Sequence, residues 1–275
     1  MKGPMKLRVV PASRGLTWVQ QGIGLCLKQP LGLVSLLGLL LTFGLLLWSL
    51  QILGLIAAVV GMPLFWMVFM LASRRVLMNE RITPTVLTDA LRGPDQRKAW
   101  LQLGGMYALG VLVVVVLSSV LGPGIEELAE AMEAASKTES TEISPVILQS
   151  MLWRVALSLP LSLAFWHTPA LVHWAHVPPL KALFFSIVAS WRNLGAFAVY
   201  GLCWAAVVAA GGALVQVLSA IAPESIVVTL AIVTLGMWTA AAFYSSLYFS
   251  VTDCFEPPEP ALQADSLVTP SSGQA

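Results

Sequence analysis

Charge is scarce in this chain. Its 275 residues include 15 Lys and Arg against 14 Asp and Glu, while 57% are apolar. A water-soluble domain needs a far more charged surface, so the bilayer is the natural solvent. The net charge of +1 gives no basis for a nucleic-acid partner. Cysteine is scarce too: Cys26, Cys203 and Cys254 have neither the number nor the spacing of a disulfide framework or a zinc site. Also absent are a nucleophile elbow, a phosphate-cradling glycine loop, a zinc-protease helix and paired intramembrane carboxylates. Hydrolysis or group transfer then has no acid or base to run on inside the membrane, and the chain reads as a non-enzyme without a cofactor. Ion-coupled transport usually uses a buried Asp or Glu, and the acidic residues here sit at the edges of the apolar runs.

What the chain has is long uncharged runs. A helix needs about 20 mostly apolar residues to cross the roughly 30 Å hydrocarbon core. Residues 29–73 carry no formal charge and are long enough for two helices joined by a tight turn. Spans are expected at about 31–50, 54–73, 100–121, 148–171, 194–220 and 225–251, with Glu224 solvated in the last turn. The fold class is therefore all-α, a polytopic transmembrane helical bundle of six spans arranged as three hairpins. The first apolar run starts only near Leu31 and continues into a second span, so it is read as an uncleaved anchor and not as a signal peptide.

Basic residues fix the expected orientation. Lys2, Lys6, Arg8, Arg14 and Lys28 precede the first span; Arg74, Arg75, Arg81, Arg92, Arg97 and Lys98 follow the second; Lys181 and Arg192 follow the fourth. The opposite loops hold Lys137, with Arg154 just inside the fourth span. The positive-inside rule places both termini in the cytoplasm. The external connection 122–147, with Glu126, Glu127, Glu130, Glu133, Glu139 and Glu142, reads as one exposed acidic helix, either a solvated face or a patch gathering cations or basic partners. The Pro- and Ser-rich residues 253–275 read as a disordered cytoplasmic tail.

A short amphipathic segment precedes each hairpin. Leu16, Val19, Ile23 and Leu27 share one face of the first. Pro84 opens the second, with Val86, Leu87, Ala90 and Leu91 on its apolar face. Pro178 and Pro179 open the third, with Leu180, Leu183, Phe184, Ile187 and Trp191. These segments either lie in the headgroup layer with apolar faces down or pack as ordinary connectors on the span ends.

The candidate site residues are few. His167, His173 and His176 fall within ten residues and form the only candidate metal set, although no carboxylate or thiolate lies close in sequence and imidazole beside indole also suits a membrane interface. Arg154, inside a span, is read either as a substrate-binding charge or as a structural one that snorkels to water. Gly201, Ala205, Ala209 and Ala213 form a smooth stripe for another helix, internal or from a second copy. Pro63 and Pro160 interrupt two spans, as kinks or as exposed backbone for a ligand.

The run Val10-Pro11-Ala12-Ser13-Arg14-Gly15 with Trp18 and Pro30-Leu31-Gly32 resembles the opening of an uncharacterised family of bacterial multi-pass inner-membrane proteins. The likeness continues through residues 177–186 and Trp191-Arg192-Asn193. More distantly, interfacial helix plus hairpin looks like the membrane domain attached to some glycerophosphodiester phosphodiesterases. The resemblance implies a bacterial inner membrane and brings no activity with it. The expected role is a non-enzymatic component that organises lipids or proteins, with membrane lipids and a second copy or other membrane protein as partners; the alternative is a small-molecule transporter or channel. For topology, a reporter active only outside the cytoplasm should be silent at the carboxyl terminus and active when inserted in 122–147. The reverse pattern would overturn the assigned orientation.

Overall fold

The computed structural model describes residues 6–137, 144–222 and 225–256. In chain order the helices are α1 (Arg14–Lys28), α2 (Pro30–Trp48), α3 (Gln51–Leu77), α4 (Val86–Asp89), α5 (Pro94–Leu121), α6 (Ile125–Lys137), α7 (Pro145–Phe165), α8 (Thr168–Trp174), α9 (Pro179–Arg192), α10 (Leu194–Ile221) and α11 (Ile226–Cys254). Six segments are long and apolar enough to cross a membrane: α2, α3, α5, α7 with α8, α10 and α11. Among the described residues there is no strand, only an isolated bridge between Leu7 and Phe255. The chain is an all-α polytopic helical bundle.

Local chemistry starts many of these helices. Proline stands in the first turn of α2, α5, α7, α8 and α9, where its missing N–H is no loss. At the start of α11 the Ser225 hydroxyl accepts from the Val228 N–H. The φ of +94° at Gly93, open to glycine without strain, turns the chain into α5.

Packing is uneven along the bundle. Buried side chains gather at one end: Leu33 and Leu37 of α2, Met67 to Met70 of α3, Trp100 and Leu103 of α5, Phe197 and Tyr200 of α10, and Leu247 and Val251 of α11. The same end holds both described chain ends, since Lys6 O accepts from Glu256 N and Arg8 N donates to Cys254 O. It also collects the α3–α4 and α8–α9 connections, through Gln29 Nε2 to Glu80 O (2.9 Å) and Gln96 Nε2 to His176 Nδ1 (2.8 Å). We call this the basic end. Toward the far end Leu45, Leu46, Leu112, Val120, Val155, Val217 and Val227 face outward. In lipid an exposed leucine loses little, because the tails are as apolar as the side chain.

Helix α1 differs from the expected arrangement. Its buried face is Gly15, Trp18, Val19, Gly22, Leu25 and Cys26, while Leu16 and Leu27 stand 46% and 63% exposed. The buried face combines Trp18 and Leu25 with small residues that admit the neighbouring backbones. A Cβ on Gly15 would fall 2.2 Å from Ala196 O of α10, and one on Gly22 would fall 2.4 Å from Ser246 Cβ of α11. Such contact between backbones is what holds helices together where apolar burial gives no driving force. As α1 runs from Arg14 to Cys26, its contacts on α11 step back from Asp253 through Ser246 and Ala242 to Trp238, so the two helices are antiparallel.

Asp253 pins the start of this wedge. Its Oδ2 accepts from Trp18 Nε1 (2.6 Å) and Arg14 Nε (2.7 Å). Asn193, 2% exposed, fixes the segment before it by accepting from Val10 N (2.8 Å) and donating to Arg8 O (3.0 Å) and Ala189 O (2.9 Å).

Other expectations shift as well. The second amphipathic segment is only the short α4, with Val86 and Ala90 buried, because Asp89 is drawn into ion pairs with Arg75 and Arg92. The fourth span is broken at Trp166–His167 and is not one helix. Residues 253–256 belong to the ordered body, tied to the amino-terminal segment, while 257–275 lie outside the described residues, as do Glu224, Glu139 and Glu142. Within the acidic connection α6 presents Glu126, Glu127, Glu130 and Glu133 outward.

Replacing Gly22 with Leu overpacks the α1–α11 contact, at a cost of about 1–3 kcal/mol. The thermal midpoint of the detergent-extracted protein should fall. Gly24→Leu, on the open side of α1 where no atom lies within 4 Å of a new Cβ, should leave it unchanged. Equal effects would show that α1 is not seated on α11. Burial pushes the Cys26 thiol up to about 11, so it is protonated until the pH nears that value and should escape maleimide at neutral pH until denaturation.

Candidate functional site

The basic end offers the most developed surface. Helix α9 lies across it with two different faces. Ala182, Ser186, Ala189 and Ser190 are buried against the bundle, and the opposite stripe of Leu180, Phe184, Ile187 and Trp191 is 73%, 61%, 47% and 76% exposed. Spacings of four, three and four residues put these side chains on one line along the helix. Lys181 and Arg192, both exposed, mark its two ends, and the Lys181 ammonium stands 5.6 Å from the Phe185 ring. An apolar stripe facing outward with cations at its ends is the pattern of a helix lying in the headgroup layer.

Next to α9, the break between α7 and α8 is held by two serines. A continuous helix would have His167 N donate to Leu163 O. Instead His167 N donates to Ser186 Oγ (3.0 Å), and Leu163 O accepts from Ser186 Oγ (3.2 Å) and Ser190 Oγ (2.9 Å). Pro169, with no N–H to give, removes the bond that would have reached Phe165 O. Of the backbone groups freed by the break, His167 N and Leu163 O are satisfied by these serines and Ala164 O accepts from Thr168 Oγ1 (2.8 Å), the kind of internal satisfaction that irregular backbone at membrane depth requires. The His167 ring is fully buried between Phe197 and Phe255, with Nδ1 3.4 Å from Ser186 Oγ.

The three histidines have separate surroundings. His167 faces α9 and the chain ends, His176 pairs with Gln96 of α5, and the Nδ1 of His173 is buried without a hydrogen-bond partner. Among the described residues no three His, Cys, Asp or Glu side chains come together as a metal set. Arg154 is exposed on α7 near the far end, with no ion pair among the described residues. Neighbouring Trp153 stands 2.7 Å from where a Cβ on Gly122, at the end of α5, would lie. Arg75 on α3 binds Thr85 (2.9 Å), Asp89 (2.6 Å) and Thr83, tying the α3–α5 connection down.

A cavity lies elsewhere, between two of the spans. About 690 Å³ lies between α10 and α11 on the far-end side of the α1 wedge, lined by Trp204, Val208, Gly211, Gly212, Gly236, Phe243 and Tyr244 among others. Of the expected small-residue stripe it takes Ala205, and Gly201 has open space around it.

Sequence reasoning did not single out Asn193, Ser186, Ser190 or Asp253 as site-forming. Asn193 and Ser186 stood in motifs noted only as junctions. Asp253 sat at the edge of an apparent tail, where nothing local marks it as the partner of Trp18.

No family model matches the chain, and no solved structure matches it. It is 34% identical over 271 residues to a probable inner membrane protein of Burkholderia thailandensis, a match covering 93% of this chain and 96% of that protein. With that identity over nearly the whole of both chains and six helices able to cross a membrane, the chain belongs to the family of that probable inner membrane protein.

Proposed function

We propose that this integral inner-membrane protein is non-enzymatic and organises anionic lipid at the cytoplasmic leaflet, with both termini in the cytoplasm. The observation that carries the reading is α9, whose stripe Leu180, Phe184, Ile187 and Trp191 faces outward while its small face is packed. Laid on the bilayer it buries four large side chains among acyl tails and brings Lys181 and Arg192 to the phosphates. Each cation near an anionic surface contributes about 1 kcal/mol, screened beyond a Debye length. Exposed Lys28, Arg74, Arg97 and Lys98 extend the positive surface around the same end.

The transporter reading rests on the repeated hairpins, Pro63, Pro160 and Arg154. Helices α3 and α7 run on through their prolines, Pro63 is buried, and Arg154 faces outward. The packed aromatic core at the basic end and the apolar lining of the cavity between α10 and α11 also favour the lipid reading over a polar pathway.

Native mass spectrometry from mixed phosphatidylglycerol and phosphatidylethanolamine nanodiscs tests it. The protein should retain phosphatidylglycerol above its bulk fraction, and K181E/R192E should lose that excess while keeping its fold by circular dichroism. No enrichment in the parent protein would sink the reading. A second copy or a stoichiometric protein partner in place of lipid would move it from lipid to protein organisation.

A further inference from the structure

The crevice between α10 and α11 follows from the wedge at the basic end. Helix α1 sits against both, through Gly15 on Ala196 and Tyr200 and Gly22 on Ala242 and Ser246. It therefore props the two helices apart at that end. At the level of the wedge Tyr200 reaches Ser246 (Oη to Oγ 2.6 Å), and next to them Trp204 and Phe243 meet edge to face at 5.5 Å. These contacts join α10 to α11 beside α1. Beyond them no helix among the described residues fills the space, and the cavity of about 690 Å³ begins.

We propose that this crevice binds one hydrocarbon chain of a bilayer lipid, taken up side-on from the leaflet at the far end. Its position suits a ligand that arrives through the bilayer, because its lining lies wholly on two segments able to span the membrane. Its length fits a chain: from Trp204 to Val215 along α10 is about 16 Å at 1.5 Å per residue, close to half of the roughly 30 Å hydrocarbon core. Its lining is apolar apart from Thr239 and the Trp and Tyr rings at the floor, so it recognises methylene groups and not a headgroup. Its size lies within the range of ligand cavities, about 300–1,000 Å³. Gly211, Gly212 and Gly236 have no atom within 4 Å of a would-be Cβ, so the groove stays wide where larger residues would have filled it. This site goes beyond the reading of the basic end: it has different chemistry in the opposite half of the bundle.

The test uses the full chain in phosphatidylcholine vesicles doped with a phosphatidylcholine carrying a mid-chain diazirine, with adducts mapped by mass spectrometry. Labelling should concentrate on 204–215 and 232–244, several-fold above that of Leu45 and Leu46, which are equally open to lipid on α2. G212L/G236L fills the groove, improves helix propensity and meets no existing atom, so it should fold. It should lose the excess labelling while adducts on α2 persist, and Gly44→Leu on α2 should change nothing in the crevice. Equal labelling of crevice and α2, or labelling indifferent to G212L/G236L, overturns the proposal. So does efficient disulfide crosslinking between copies through Gly212→Cys, which would make a second copy the occupant. Because these vesicles carry no anionic lipid, failure here is separate from loss of phosphatidylglycerol enrichment at the basic end.

Discussion

The bundle depends on the seating of α1 against α10 and α11. In a bilayer, helices gain little by hiding leucines from one another, so association has to come from close backbone approach and from polar groups with nowhere else to go. Both operate here. Gly15 and Gly22 let α1 come within contact of the neighbouring backbones, and Asp253 gathers Trp18 and Arg14 at the mouth of the wedge. Asn193 then ties the segment before α1 to the α9–α10 junction with three hydrogen bonds. Remove the wedge and α10 and α11 lose the surface they share; the aromatic cluster of Phe197, Tyr200, Trp166 and Phe243 around it would lose its packing too.

The same economy governs the α7–α8 break. A chain that stops being helical at membrane depth must satisfy each freed N–H and C=O from within. Ser186 does this for two groups at once, accepting from His167 N and donating to Leu163 O, and Ser190 reinforces the second. These serines project from the packed face of α9. The helix with the exposed apolar stripe is thus held by its inner face to the irregular backbone beside it, so the placement of α9 depends on the integrity of the fourth span.

Much of this was legible in the sequence, and the limits have physical causes. Uncharged runs located all six spans, because crossing hydrocarbon imposes a length and composition few other constraints imitate. Of the stripe expected on α9, Leu180, Phe184, Ile187 and Trp191 are exposed and Leu183 packs against the core. On α1 the spacing left open whether the stripe faces the headgroups or packs on the spans, and the stripe divides: Leu16 and Leu27 are exposed while Val19 is buried. The face seated on the neighbouring helices is marked by Gly15 and Gly22 together with Trp18 and Leu25. The fourth span was drawn as one helix because hydropathy does not register a lost hydrogen bond, and its repair comes from residues nearly twenty positions downstream. Asp253 was assigned to a tail because its partners Arg14 and Trp18 lie more than 230 positions away in sequence.

The two ends of the bundle therefore solve different problems. At the basic end, polar contacts, aromatic edges and small residues specify one arrangement, and α1 occupies the space that two spans would otherwise close. At the far end the helices present valine and leucine outward, and lipid completes the packing. A wedge that holds two helices apart at one end leaves a gap at the other unless large side chains fill it, and on α10 and α11 those positions are Gly211, Gly212 and Gly236. The crevice is the geometric consequence of the wedge.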